Sequence, residues 1–309
     1  MKAALFGGTG FVGSYIVDSL VAGGHTPRCL VRRGSENKLR HPERCEQVSG
    51  EIHDADAVAR TIEGADAVIY LVGLLRESRQ RGDTWEAAHF EGPVRAMEAA
   101  KRSGAARFVY MSSNGAGPSG TRYQTTKYRA EQHLEGSGLP WTIFRPSVIF
   151  GDPRGRMELA TQLKRQMIDP PLPAPLFHRG LSPAGAGRFR LTPVAVEDVA
   201  SCFVRSLETP EAAGRLYFLG GPDALEWRRL VAILAEACGK PHKLMLPAPV
   251  PIIGGVAALL DRFPWFPVTH DQLEMLVDGN ECDGSEAFRQ FGVQPKHFTP
   301  QTLSYLTRA

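Results

Sequence analysis

Lys2-Ala3-Ala4-Leu5-Phe6 runs directly into Gly7-Gly8-Thr9-Gly10-Phe11-Val12-Gly13, and the reading of this stretch decides the fold. The apolar run before Gly7 has the character of a buried strand. Beyond it, Val12, Tyr15, Ile16 and Leu20 recur at near-helical spacing, which predicts a helix over Phe11–Ala22. Gly7, Gly10 and Gly13 punctuate the turn as G-x-x-G-x-x-G. Glycine permits a tight turn and lets backbone N–H groups approach an anion, while the helix aims the positive end of its dipole at the same point. Between a strand and a helix, this pattern points to the pyrophosphate of a dinucleotide.

The same alternation continues outward. Arg28–Val31, Gln47–Ser49, Ala67–Val72, Arg107–Met111 and Trp141–Phe144 read as strands, and Asp54–Glu63, Asp83–Ser103 and Thr121–Glu135 as helices. Such alternation implies right-handed crossovers and a parallel sheet covered on both faces. The expected fold is α/β, a doubly wound parallel Rossmann sheet with a small helix-rich C-terminal cap. Residues 1–150 form the expected NAD(P)-binding domain. Residues 151–309 are mostly substrate or cap region, with 192–220 returning to the sheet. In this second half Asp169–Pro175 and Gly180–Gly187 read as loops. Glu197–Leu207, Leu225–Cys238, Ile252–Leu260, His270–Val277 and Ser285–Phe291 read as helices, and Leu216–Leu219 as a strand. Ligands are expected at the carboxyl ends of the strands, where the strand order reverses, with the cap closing over them.

Composition narrows the function classes. The 309 residues are 43% hydrophobic and 22% charged, enough apolar mass for a sizeable core. A formal net charge of +3 is too mild to argue for nucleic acid, which is not an expected partner. The five cysteines, Cys29, Cys45, Cys202, Cys238 and Cys282, show no C-x-x-C, so reduced thiols and a cytoplasmic address are expected. The apolar run Pro247–Leu260 is broken by prolines and glycines and falls short of the about 20 residues that a spanning helix needs. The histidines show no metal-binding spacing, and no metal is expected.

Two further motifs carry chemistry. The second strand ends in Val31-Arg32-Arg33, where an acidic residue would bind the ribose hydroxyls of NAD. Arg32 and Arg33 instead suit a 2′-phosphate, which favours NADP(H) over NAD(H). Tyr123-Gln124-Thr125-Thr126-Lys127 is Y-x-x-x-K at a helix start, with Tyr123 and Lys127 on one face. An ammonium beside a phenol lowers its pKa, so Tyr123 could exchange a proton with a carbonyl oxygen while hydride passes to or from nicotinamide. Upstream, Ser112-Ser113 closes the fifth strand and could hydrogen-bond the same oxygen.

With these motifs in order, the chain resembles the short-chain dehydrogenase/reductase superfamily in its extended or atypical branch. The resemblance rests on the glycine loop, Asp66–Gly73, Arg107–Ser113, Tyr123-x-x-x-Lys127, Arg145-Pro146-Ser147-Val148-Ile149-Phe150-Gly151 and Val196–Ala200, together covering about two-thirds of the chain. The tail Val268–Leu276 followed by Asp278-Gly279-Asn280 is similar to the group related to the NADPH-binding 39-kDa accessory subunit of respiratory complex I. The resemblance implies that Ser113, Tyr123 and Lys127 form the catalytic set. It implies that Glu51 and Ile52 lie near the adenine, that Leu71, Val72 and Gly73 line the cofactor, and that Pro146 to Val148 flank the nicotinamide. There are two departures. Asn114-Gly115-Ala116-Gly117 replaces the usual V-Y-G segment, and His89 or a neighbour stands where the family often has Asn.

Bland readings stand beside these. Asp54 and Asp56 fit helix capping, and the arginines between Arg154 and Arg190 fit a solvated face. Leu244–Val268, with Phe263, Trp265 and Phe266, fits cap core, a lipophilic pocket or a docking surface. Two functions are therefore expected to compete. One is an NADP(H)-dependent oxidoreductase or epimerase acting on a carbonyl or hydroxyl of a small-molecule substrate, quinone-like substrates included. The other is a non-catalytic NADPH-binding accessory protein of a respiratory or quinone-pathway complex. Peripheral association with the inner face of a membrane and homo-oligomerisation remain open partners of either.

Overall fold

A computed structural model of the chain describes residues 1–74, 77, 82–180, 182–251 and 270–307. Strands are numbered along the chain. β1 (Lys2–Phe6), β2 (Thr26–Val31), β3 (Glu46–Ser49), β4 (Ala67–Tyr70), β5 (Arg107–Met111), β6 (Trp141–Pro146) and β11 (Arg215–Leu219) form one sheet, ordered β11-β6-β5-β4-β1-β2-β3. Every pairing in it is parallel. The order reverses at β1, which has β2 on one side and β4 on the other; this is the switch point at which α/β sheets open a crevice.

The chain divides into two compact units. The first comprises Met1–Pro146, Val196–Leu219 and Ser285–Gln294. Its helices are α1 (Phe11–Ala22), α2 (Ala55–Ile62), α3 (Gly92–Ser103), α4 (Arg122–Glu135), α6 (Val196–Ser206) and α9 (Ser285–Gln290). Ala4, Phe6, Val68, Tyr70, Phe108 and Tyr110 fill one face of the sheet under α2, α3 and α4. α1 and α6 pack on each other over the opposite face. Asp54 starts α2, accepting the amides of Asp56 and Ala57 at 3.0 Å each. Thr121 and Gln124 start α4 with a reciprocal capping box.

The second unit comprises Ser147–Ala195, Gly220–Gly284 and Pro295–Ala309. It contains short strand pairs rather than a continuous sheet. β7 (Ile149–Phe150) pairs with β10 (Val194–Ala195), β8 (Ala174–His178) with β13 (Met245–Pro249), and β9 (Arg190–Leu191) with β12 (Leu225–Glu226). Its helices are α5 (Leu159–Leu163), α7 (Trp227–Ala237) and α8 (His270–Val277). Trp227 is fully buried at its centre, flanked by Phe177 and Phe189 at 6.0 and 5.6 Å between ring centroids. The indole N–H of Trp227 donates to the Pro175 carbonyl at 3.0 Å.

Several expectations about elements are corrected. β4 stops at Tyr70, so Leu71 and Val72 are loop. The long helix expected from Asp83 is interrupted by a π turn over Ala87–Glu91 before α3 begins at Gly92. Ala174 and Pro175, read as loop, open β8, because β13 supplies a parallel partner that the local sequence does not reveal. Pro183–Gly185 is a 3₁₀ turn within the second expected loop. The helix expected over Ile252–Leu260 and the cluster Phe263, Trp265 and Phe266 lie outside the described residues. Among the described residues, no helix is long and apolar enough to cross a membrane, and no His/Cys/Asp/Glu group could hold a metal.

Candidate functional site

Loops leave the carboxyl edge of the sheet on either side of the switch point, and the first is the glycine loop. Gly7 takes φ +94°, a conformation that side chains rarely tolerate. A Cβ on Gly13 would run into the Gly7 carbonyl oxygen, so the first turn of α1 lies directly against the loop. The Gly10 amide donates to Gly7 O at 3.0 Å and closes the turn. No side chain caps α1. Its first amides and the positive end of its dipole therefore have no capping side chain to satisfy them, as an anion site requires. Thr9 sits within the loop, Val12 is buried, and Phe11 packs edge-on to Tyr15.

Leu71, Val72 and Gly73 follow β4. The Leu71 amide donates to Phe6 O at 2.9 Å, and a Cβ on Gly7 would meet the Val72 nitrogen at 3.2 Å. The structure thus brings the glycine loop and this segment together. Arg32 and Arg33, just beyond the end of β2, differ. Arg32 is paired with Asp83 at 3.0 Å, whereas Arg33 is exposed, its charge helping to hold the Glu36 carboxyl below its ordinary range after that group's own backbone hydrogen bonds. Ile52 is buried and its carbonyl accepts from Arg95 at 2.7 Å; Glu51 beside it is half-buried, 3.5 Å from His53. Pro146 ends β6 and accepts the Asn114 amide at 2.9 Å. Val148 belongs to the second unit and packs against that unit's own core.

Ser113, Tyr123 and Lys127 converge beyond β5. Ser113 is buried with no hydrogen bond to its Oγ. The Tyr123 phenol is close enough for Ser113 to lower its pKa slightly, although their geometry falls short of a hydrogen bond. Burial outweighs that effect and pushes the phenol up to about 12. Lys127 is almost fully buried, and desolvation pushes it down to about 8 against the opposing pull of Glu131. Its Nζ donates to Met111 O at 2.9 Å and lies 5.6 Å from the Tyr123 ring centroid. The expected depression of the phenol by the ammonium is therefore not what this geometry produces. The short link from Ser113 to Tyr123 is closed by Gln124, whose Oε1 accepts the Thr121 amide at 2.9 Å. A Cβ on Gly115 would meet Gln124 Nε2 at 2.8 Å. A polar side chain thus organises the loop.

His89 completes the group, and sequence reasoning placed it only loosely. It is fully buried in the π turn, and its ring meets Tyr123 edge-on with centroids 5.0 Å apart. Its Nε2 accepts the Leu74 amide at 2.9 Å, which leaves the ring proton on Nδ1, facing Thr126 Oγ1 at 3.5 Å. Burial first, and the Lys127 cation second, push its pKa down to about 2, so the ring is neutral. Trp85 was missed altogether; its indole donates to Leu74 O at 3.0 Å. The π turn has a visible cause. Tyr70 donates its phenol to Ala88 O at 2.9 Å and Tyr110 to His89 O at 3.3 Å. These tyrosines are neighbours on β4 and β5. Two buried phenols in register on apolar strands must find acceptors, and that was the available signal.

A glycine cradle at a switch point, with polar groups gathered at the next strand ends, defines a dinucleotide-binding protein of the short-chain dehydrogenase/reductase type. The chain belongs to the NAD(P)H-binding family, whose model matches residues 7–169. It is 29% identical to ceramide reductase of Caulobacter vibrioides over 84% of this chain and 77% of that protein. It is 23% identical to the NADH-ubiquinone oxidoreductase 40 kDa subunit of Neurospora crassa, over 98% of this chain and 78% of the subunit. In fold it is similar to the Bordetella bronchiseptica enzyme WbmH, solved with NAD+ (TM-score 0.74, 18% identity, 98% of this chain and 96% of that one).

Proposed function

We propose that this protein is an NADP(H)-dependent oxidoreductase acting on a carbonyl or hydroxyl of a lipophilic small molecule. The convergence of Ser113, Tyr123, Lys127 and His89 on one end of β5, next to the glycine cradle, carries the proposal. The bound nucleotide would lie on Gly7 to Gly13, with Leu71 to Gly73 beside it, Glu51 and Ile52 near the adenine, and Pro146 toward the nicotinamide. It supplies the hydride when bound. Ser113 Oγ, buried and without a partner, would donate to the substrate oxygen. With its pKa pushed up to about 12, Tyr123 holds its proton at working pH, which suits it to donate to the oxygen of a carbonyl being reduced. Lys127 would hold the ribose and supply positive charge. Similarity to a protein named ceramide reductase supports a lipophilic substrate.

The exposed Arg33 supports NADP(H) over NAD(H), because its guanidinium is accessible to a 2′-phosphate while Arg32 is paired with Asp83. Arg33→Ser should weaken NADPH binding about tenfold and leave NADH binding nearly unchanged, as read by fluorescence titration. Equal loss for both cofactors would sink this preference.

A second reading has its own support. Lys127 donates to Met111 O rather than to the phenol, and the chain is similar over 98% of its length to a respiratory-complex subunit. An accessory protein that binds NADPH without turnover, associated with a respiratory complex, fits those observations. Single-turnover oxidation of bound NADPH by a panel of long-chain ketones, quinones and sugar nucleotides separates the two. Oxidation that Tyr123→Phe slows by 10²–10⁴-fold, with NADPH affinity kept, would support the enzyme. Tight binding with no oxidation by any of them would favour the accessory role.

A further inference from the structure

One thiol lies beneath the glycine loop, and a second stands on the neighbouring strand connection. Cys29, on β2, is fully buried, and its Sγ stands 3.1 Å from where a Cβ on Gly8 would be, with Leu5 Cδ2 at 3.0 Å beside it. Cys45 is half-buried, at the end of the 3₁₀ turn Pro42–Arg44 and just before β3, with its Sγ 3.5 Å from Arg40 O. The two thiols are close enough for each to shift the other's titration in opposite directions. The register pairs Arg28 with Glu46 and Cys29 with Gln47, so Cys29 and Cys45 are diagonal neighbours on one face. Cys45 precedes the first ladder pair, and its backbone can close toward Cys29 without breaking one.

We propose that Cys29 and Cys45 form a redox-modification site that closes to a disulfide and weakens nucleotide binding by the glycine loop above it. Cys45 is the attacking sulfur. It is the more exposed of the two, and the neighbouring Cys29 holds its thiol below the ordinary range, while Cys29 is pushed the opposite way by the same neighbour and by burial. The oxidant is a low-molecular-weight disulfide. The Cys45 thiolate attacks one of its sulfurs and releases one thiolate, leaving a mixed disulfide on Cys45. Cys29 then gives up its proton, attacks the Cys45 sulfur and expels the second small thiol. Two protein thiols are oxidised and one small disulfide is reduced to two thiols. The new bond draws the Cys29 sulfur from beneath Gly8, and the loop loses part of its floor. The functional half of the inference rests on the loop binding NAD(P).

The full chain is incubated with oxidised glutathione, its remaining thiols are blocked, and peptides are mapped by mass spectrometry alongside NADPH titration. The expected product is a linked Cys29–Cys45 peptide lacking the mass of two hydrogens. NADPH affinity should fall about tenfold, equivalent to roughly 1.4 kcal/mol, and return with dithiothreitol. Cys45→Ser should form no link and bind NADPH like the reduced protein. Glutathione retained on Cys45 without a link, or a linked protein with unchanged NADPH affinity, would overturn the proposal. If the reduced protein bound no NADPH, the nucleotide reading would fall, while peptide mapping would still decide whether the thiols pair.

Discussion

In the first unit His89, Ser113 and Lys127 are buried together beyond β5, and the Ser113 hydroxyl has no hydrogen-bond partner among the described residues. In the second unit the buried Glu158 is tied down where it stands. Its two carboxylate oxygens accept the amides of Ala160 and Thr161 at 2.8 Å each, and Tyr305 adds a phenol at 3.3 Å. One arrangement gathers polar atoms with capacity left over, and the other closes the start of α5. Buried polar groups cost stability unless paired. Unpaired capacity at a strand end beside the glycine loop is therefore open to a ligand, whereas the Glu158 carboxylate is used up by the helix start, even though Thr161 Oγ1 beside it is itself buried without a partner.

The hardest test of that contrast is Gly13→Ala. The added methyl would collide with the Gly7 carbonyl, and backbone cannot step aside as a flexible side chain can. NADPH binding should be lost in a titration, and stability should fall by about 1–3 kcal/mol in denaturant unfolding. Unchanged NADPH affinity would remove the cradle from the nucleotide site.

Next in size is a pH effect at Lys127. Its pKa of about 8 lies below the roughly 10.4 of a free lysine, so between these values the unfolded chain holds a proton that the folded chain has released. Stability from this group therefore rises with pH over that window. If turnover needs the cation, kcat/KM should fall about tenfold per pH unit above 8 while thermal stability does not fall in parallel. Tyr123, at about 12, and His89, at about 2, contribute no limb between pH 5 and 9. A profile flat to pH 10 would detach Lys127 from the chemistry.

The two units also differ in how much of them could be read in advance. β1, α1 and β5 match their expected bounds residue for residue, because each buries a local apolar pattern. Tyr123 and Lys127 were visible as a spaced pair at a helix start. The π turn was not, since it depends on phenols from β4 and β5 reaching Ala88 and His89 across the fold. The two-residue strands of the second unit have no local period at all. Ile149–Phe150 is a strand only because Val194–Ala195 lies beside it. Pro175, an expected loop residue, is held in β8 opposite Leu246, and its carbonyl receives the Trp227 indole.

The smallest expected effect returns to Glu158. Burial raises its pKa against the pull of the Thr161 and Ala160 amides, and both carboxylate oxygens are used by the cap. Glu158→Ala leaves two amides and the Tyr305 phenol without their acceptor and should cost about 1–2 kcal/mol in urea unfolding. NADPH affinity should stay within about twofold, because the nucleotide loop belongs to the other unit. Gly13→Ala should move both quantities and Glu158→Ala only one. A tenfold loss of NADPH affinity on capping-residue removal would mean that the second unit shapes the nucleotide site, and the division between gathered and closed polar groups would no longer separate function from fold.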